Sequence, residues 1–402
     1  MRIGLFGIAI ASGLVIACGE SAGVSVGTGD GSVPLNDGAP TDAAVQDGGV
    51  DAPSDALSNA TTVVVHYPAA SGQTLALRGS AGSLNWTTGA PLTFAGTNAW
   101  QWSSTTLTTG IEVKLLLNDT EWSKGPNYTI APGKTTHLYP HFKASKGVVT
   151  TRWSSFASKT LNNTRPVYVY LPATYAENTE ARFPVVYMHD GQNLFDASLA
   201  FGGNEWKADE AMDEGVEKGT IREAIIIGVG NTSARMSEYT PVNDPDYGGG
   251  SGDKYLEMLE KELKPTVDAE LRTMPSREDT AILGSSLGGL ISSYAGIGHA
   301  GTFGLVGAMS PSTWWNNVWL VGKVATTPAS PRPIRVYVDS GDGGSSNDGV
   351  DNTKKLADAY RALGYKDDST LKYVVQAGGQ HNEAYWAQRL PGALAFILGP
   401  GR

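Results

Sequence analysis

The stretch that most constrains this chain is residues 279–290, where an apolar run ending in Leu283 meets Gly284-Ser285-Ser286-Leu287-Gly288. The run reads as a buried strand, and the periodic positions Leu287, Leu290, Ile291 and Tyr294 read as a helix packed on it. Between them, Gly284-x-Ser286-x-Gly288 is the nucleophile-elbow pattern. Its strand-to-helix turn is so sharp that the flanking positions must lack bulk, hence glycine. Such a turn holds a serine hydroxyl up at the end of a sheet. In a chain of 402 residues with 50 glycines the pattern arises readily by chance. It counts only if a strand, a helix and two partners surround it.

The surroundings supply that context. From about Lys146 onward, apolar strands at 167–171, 185–189, 224–229, 280–283, 304–309, 334–338 and 371–375 alternate with helical patterns. The helices are expected at 208–217, 255–271, 287–299, 353–363 and 383–397. Strands too continuously apolar to be half-exposed, with helices between them, imply a doubly wound, mostly parallel sheet covered on both faces. Ligands bind such sheets at the strand C-terminal ends.

A serine hydroxyl needs a neighbouring base, usually His, itself held by a carboxylate. In this arrangement the chain order is Ser, acid, His. Only His299 and His381 follow Ser286. His299 ends the elbow helix, about 20 Å along it at the helical rise, and cannot reach the hydroxyl. His381 lies in the loop between the last strand and the last helix, where the base belongs. The acid is expected after the strand at 334–338, in Asp339-Ser340-Gly341-Asp342-Gly343-Gly344-Ser345-Ser346-Asn347-Asp348-Gly349-Val350-Asp351. Asp339 is still at the strand end, and Asp351 belongs to the next helix N-terminus, where it favours the dipole. Asp348 and Asp342 remain as candidates. Oxyanion donors are expected from the backbone of Leu287 and from Gly191 or Gln192 after the strand at 185–189. His189 and Asp190 are read as shaping that loop.

Residues 61–145 differ in character. Short β-rich runs at 62–65, 75–79, 111–117 and 136–139 are separated by Gly, Asn, Pro and Thr turns, the pattern of a small all-β sandwich. Trp100 and Trp102, two apart, share a strand face and read as core at least as readily as sugar contacts. Trp86 and Trp122 stand in turn-like contexts as sugar-contact candidates.

The N-terminus is a targeting segment. Arg2 precedes an apolar run from Ile3 to Ala17 that is short for a membrane span, and Cys18 follows as the chain's single cysteine. The run Val15-Ile16-Ala17-Cys18-Gly19 resembles the lipobox of bacterial lipoproteins, whose signal is removed before an acylated cysteine. Residues 1–18 are therefore expected to direct export and lipid anchoring to the cell envelope. Residues 19–60 carry Glu20, Asp30, Asp37, Asp42, Asp47, Asp51 and Asp55 without a Lys or Arg, so a disordered acidic tether is expected. It carries most of the net charge of −10, leaving the rest near neutral and without the basic face that nucleic-acid binding needs. Six scattered histidines without a His-Glu-x-x-His motif disfavour a metal hydrolase.

The segments RFPVVYMHDGQNLF, GNEWKADEAMDE, TAILGSSLGGL, GAMSPSTWW and GGQHNEAYWAQRL occur in one order over residues 146–402. Together they resemble the esterase branch of the α/β-hydrolases, which includes esterase D, enterochelin esterases, feruloyl and acetyl-xylan esterases and mycolyltransferases. That resemblance implies carboxylic-ester hydrolysis by Ser286 and His381 without metal or organic cofactor. Related esterases place their acid just before the next helix, which favours Asp348 over Asp342. Trp206, Trp314 and Trp315 become candidates for lining the substrate pocket. The segment from Gly79-x-x-x-x-Leu84-x-Trp86 to Trp122-x-x-Gly125-x-Asn127 resembles starch- and glycogen-binding immunoglobulin-like modules, which also carry a Lys on a central strand. It tilts the expected substrate toward carbohydrate-linked acetyl or feruloyl esters. The rivals are a siderophore esterase, an acyltransferase on the same fold, and a non-catalytic carbohydrate-binding lipoprotein.

Overall fold

The computed structural model describes residues 60–328 and 330–401. Cys18 and all but the last residue of the tether expected at 19–60 lie outside the described residues.

Two small sheets enclose the first core. One runs Thr93–Gly96, Ala99–Ser104, Thr61–His66, Thr135–Leu138, antiparallel except for its last pairing. The other runs Ala90–Pro91, Leu75–Gly79, Ile111–Leu117, Glu121–Trp122, with Tyr128–Ile130 also paired to Ile111–Leu117. Successive side chains of a strand point to opposite faces, so Val63, Val65 and Trp102 turn inward to meet Leu75, Leu77, Val113, Leu115 and Ile130. Trp100 is only partly buried and packs edge-on against Phe94, ring centres 5.2 Å apart. The Lys expected on a central strand is Lys114, whose ammonium is buried and bonded to the carbonyls of Gly125 and Pro126.

The large sheet has eight strands: β1 (Val148–Ser158), β2 (Asn163–Leu171), β3 (Val185–His189), β4 (Ile225–Val229), β5 (Thr280–Ser285), β6 (Leu305–Met309), β7 (Arg335–Gly341) and β8 (Leu371–Gln376). Their spatial order is β1-β2-β4-β3-β5-β6-β7-β8, antiparallel through β4 and parallel beyond. The doubly wound, mostly parallel α/β sheet expected from the pattern is present. Strand β1 is absent from the sequence reading because it is an exposed edge rich in Thr and Ser. Strand β7 runs three residues further than expected and takes Asp339 into the sheet.

Alternate strand residues feed two apolar layers. Val186, Met188, Ile226 and Leu283 meet α1 (Ala208–Glu217) and α6 (Glu383–Leu398). Val185, Tyr187, Ile227 and Ile282 meet α2 (252–270), α3 (Leu287–Gly298), α4 (Trp315–Ala325) and α5 (Val350–Ala362). Helix α2 begins as Gly252–Met258 and passes through a π turn at Leu259–Leu263 into Lys264–Glu270. Pro265, which has no N–H to donate back, sits just past that turn.

The short helix Ala173–Glu177 joins the small sheets to the large one. The Glu177 carboxylate accepts from Tyr67 Oη at 2.8 Å and from the N–H groups of Phe142 and Lys143 at 3.0 and 2.8 Å. Asn178 Nδ2 donates to the carbonyls of His66 and Pro140.

Candidate active site

Ser286 sits between β5 and α3 with φ 55° and ψ −122°, a backbone strained for a non-glycine residue. The elbow is clamped to the next strand: Ser286 N–H donates to Met309 O at 3.1 Å, and Ser312 N–H to Ser286 O at 2.9 Å. A Cβ on Gly284 would lie 2.7 Å from His189 Cδ2 and 2.9 Å from the Gly288 carbonyl carbon. Bulk is therefore excluded by the buried imidazole of His189 and by the elbow's other glycine. Burial holds that imidazole far down, at about 3, and Tyr255 Oη lies 2.9 Å from its Nδ1. His189 is thus a neutral scaffold for the elbow.

His381 Nε2 lies 2.9 Å from Ser286 Oγ, and its Nδ1 lies 2.6 Å from Asp348 Oδ1. Asp348 is 2% exposed, and its second oxygen accepts from Ser310 Oγ at 2.5 Å and Gly341 N at 2.6 Å. Burial alone would raise this carboxyl, but the hydrogen bonds from His381, Ser310 and Gly341 outweigh it and hold it below the usual range. Asp342 does not reach the imidazole. It accepts from Gly378 N at 2.6 Å and so ties the acid loop to the His381 loop, beside Gly343 N donating to Gly379 O at 2.8 Å. His299 pairs with Glu260 at 2.8 Å, away from Ser286.

Leu287 opens α3, so its N–H is one of the helix's unpaired first donors. Gly191 and Gln192 open a single 3₁₀ turn, Gly191–Asn193, after β3. Gly191 lies flat against β4, where a Cβ would come within 2.4 Å of the Gly228 backbone. Its smallness therefore serves packing against the sheet. Gln192 Oε1 accepts from Asn231 N at 3.2 Å. Asp190, at φ 55°, holds the turn through a two-pronged ion pair with Arg235 at 2.7 and 2.8 Å and a bond from Asn231 at 2.6 Å.

Two aromatic expectations need correction. Trp206 and Trp315 are each 1% exposed and lie in the core rather than open to a substrate. Trp206 packs on Trp386, ring centres 5.7 Å apart, and Trp315 donates its indole N–H to Val242 O. Both were drawn inward because flat apolar rings fill the space between helices and sheet. Trp314 is 44% exposed and meets the exposed Tyr247 edge-on at 5.4 Å, two residues beyond Ser312. In the small module Trp86 and Trp122 are 39% and 41% exposed, with ring centres 6.5 Å apart and the Arg78 guanidinium 5.1 Å over Trp122.

Residues absent from the sequence reading also converge here. Ser310, Trp386 and Arg389 stand behind Asp348. Asp339, fully buried, is raised by that burial to about 6 even with Arg389 beside it at 3.0 Å. Trp386 and Arg389 are three apart and so share a helix face, the one sequence signal that linked them.

Residues 158–397 match the model of the Esterase family, well over half of the chain, and the protein belongs to that family of carboxylic-ester hydrolases. Bacillus subtilis YbbA, itself uncharacterized, is 25% identical over 247 residues, spanning 58% of this chain and 92% of that protein. An endo-1,4-beta-xylanase/feruloyl esterase of Xylanibacter ruminicola is 24% identical over 59% of this chain, which covers only 30% of that longer protein. A siderophore enterobactin esterase of Emericella nidulans is 28% identical over 36% of this chain and 52% of its own length. Among solved structures, a siderophore hydrolase from Aspergillus nidulans superposes with TM-score 0.50 at 18% identity over 63% of this chain and 94% of that one, a likeness of fold.

Proposed function

We propose that the protein cleaves its ester through Ser286, His381 and Asp348, by way of an acyl-enzyme. The reading rests on one observation, the continuous row Ser286 Oγ–His381–Asp348 at 2.9 and 2.6 Å on a strained elbow. His381 Nε2 takes the hydroxyl proton as Oγ attacks the ester carbonyl carbon. The oxyanion is met by the N–H of Leu287 and that of Gly191 or Gln192. Collapse breaks the carbonyl–alkoxy bond, and the alkoxide leaves with the proton from His381. Water then attacks the acyl-enzyme by the same path, releasing the carboxylic acid and restoring Ser286. No step draws on a metal or organic cofactor.

For the substrate we infer a carbohydrate-linked ester, acetyl or feruloyl. Two exposed aromatic pairs support this, Tyr247/Trp314 beside the elbow's neighbour Ser312 and Trp86/Trp122 on the small module. Flat faces of this kind stack on sugar or phenolic rings. The xylanase/feruloyl esterase relative points the same way, whereas the enterobactin esterase relative favours a siderophore ester. Export and lipid anchoring through Cys18 would place the enzyme on the cell envelope.

Turnover of p-nitrophenyl acetate with Ser286→Ala as control tests the catalytic part. Equal rates would sink it. A screen of acetyl-xylan, methyl ferulate and siderophore esters decides the substrate, and product analysis with an added sugar acceptor separates hydrolysis from acyl transfer. Cell fractionation of Cys18→Ala tests the anchor, since undiminished membrane association would overturn it.

A further inference from the structure

Ser310 follows β6, is fully buried and is itself held at φ 37°. Its N–H donates to Asp339 O at 2.8 Å and lies 3.0 Å from Asp339 Oδ1. Three groups crowd its hydroxyl: Trp386 Nε1 at 3.0 Å, Arg389 Nη2 at 2.7 Å and Asp348 Oδ2 at 2.5 Å. An indole N–H and a guanidinium can only donate. The two lone pairs of Ser310 Oγ are thereby taken, and its single proton has one acceptor left, the Asp348 carboxylate.

The supports are themselves fixed. Arg389 Nη1 donates to Gln376 Oε1 at 2.7 Å, and Nε pairs with Asp339 Oδ2 at 3.0 Å. Its Nη2 stands 3.6 Å from Asp348 Oδ2, so one buried guanidinium is shared between two carboxylates. Trp386 packs edge-on to the His381 ring at 5.1 Å while donating to Ser310. The acid loop and α6 thus meet on the Ser310 hydroxyl just after β6, while β7 and β8 hold Asp348 and Arg389 in place around it.

We propose that Ser310, with its hydroxyl oriented by Trp386 and Arg389, is a positioning residue for ester cleavage that fixes Asp348 so that its free oxygen faces His381. This rests on the catalytic reading given above. Asp348 lies on a loop rich in Gly, Ser and Asn, and two anchors on Oδ2 leave its carboxyl little freedom to turn. An acid that can rotate holds the imidazole in the productive orientation for only part of the time, and misplacement on the scale of 1 Å can cost about a hundredfold.

The test is a double-mutant cycle of Ser310→Ala and Asp348→Asn on p-nitrophenyl acetate, with thermal unfolding of each variant recorded. Ser310→Ala should lower kcat about tenfold to a hundredfold while leaving KM within about twofold, because the change does not touch substrate. In the Asp348→Asn background the same substitution should cost less than about threefold, since its route to the base is already lost. Trp386→Phe, which keeps the ring and removes one donor, should give a smaller loss with the same dependence on Asp348. If Ser310→Ala keeps wild-type kcat, or costs as much in the Asp348→Asn background as in the wild type, the inference is overturned and the triad stands. If Asp348→Asn itself retains wild-type turnover, both readings fall.

Discussion

Asp348 and Glu223 are carboxyl groups at opposite ends of the large sheet, and their surroundings shift them in opposite directions. Asp348 has an imidazole, a hydroxyl and a backbone N–H aimed at it, and these hold it ionised below the ordinary carboxylate range. Glu223 precedes β4 and lines a cleft of about 650 Å³ between the small module and the large sheet. Burial raises it to about 7, opposed only by its bonds with Thr174, whose Oγ1 lies 2.8 Å away and also meets His141 Nδ1 at 2.6 Å. Burial by itself does not set charge; the donors that accompany it do. The many-donor site holds its carboxyl below the usual range beside His381, while burial raises the poorer one to about 7.

The largest expected break in that contrast is Asp348→Asn, which keeps the shape but loses the anion. It should lower kcat by about three to four orders of magnitude, read by p-nitrophenyl acetate turnover against Ser286→Ala as the floor. Asp342→Asn should cost about tenfold or less, because Asp342 ties the two loops without touching His381. A larger loss from Asp342→Asn than from Asp348→Asn would reverse the assignment of the acid.

Smaller effects belong to the seam. Thr174→Val leaves Glu223 and His141 without their shared hydroxyl and should destabilise the fold by about 1–3 kcal/mol, measured by denaturant unfolding, with kcat unchanged. The smallest effect is a pH slope. A carboxyl raised from 4.5 to about 7 in the folded protein binds more protons folded than unfolded across that interval. Its contribution to stability is therefore present at the acid end and lost as pH rises through 7. Asp348, lowered, acts with the opposite sign, stabilising at neutral pH and losing that contribution as pH falls below the usual carboxylate range. Asp339 and Asp209 are also raised, to about 6 and about 7, so the wild-type slope is a sum. Glu223→Gln should flatten the part between pH 5 and 8 by about a few degrees of Tm at most. Identical slopes for the two proteins would remove Glu223 from the comparison.

Much of this organisation is legible in local sequence. The elbow was readable because a short apolar strand, two glycines and a helical period lie within about a dozen residues, and each is a near-neighbour constraint. The loop carrying His381 was readable from its place between a strand and a capped helix. The acid was harder. Asp342 and Asp348 share a loop, and what separates them is that Ser310, Gly341 and His381 all turn toward Asp348. Two of those donors, Ser310 and His381, come from distant parts of the chain, and the third, Gly341, from the end of β7. The tryptophans failed for a related reason: Trp314 and Trp315 are adjacent in sequence, yet one is 44% and the other 1% exposed. Only the course of α4 decides which ring faces the core.

The sequence by itself determined the class of sheet, the serine at its turn and the chain order of its partners, because hydropathy period and turn chemistry act over a few residues. Tertiary structure alone decided that Ser286 and His381, 95 residues apart, would meet at 2.9 Å. It also decided that Asp348 would be the carboxylate behind them, and that Arg389, Trp386 and Ser310 would hold it there. Those choices depend on which loops the packed strands bring together, and no local pattern carries that information.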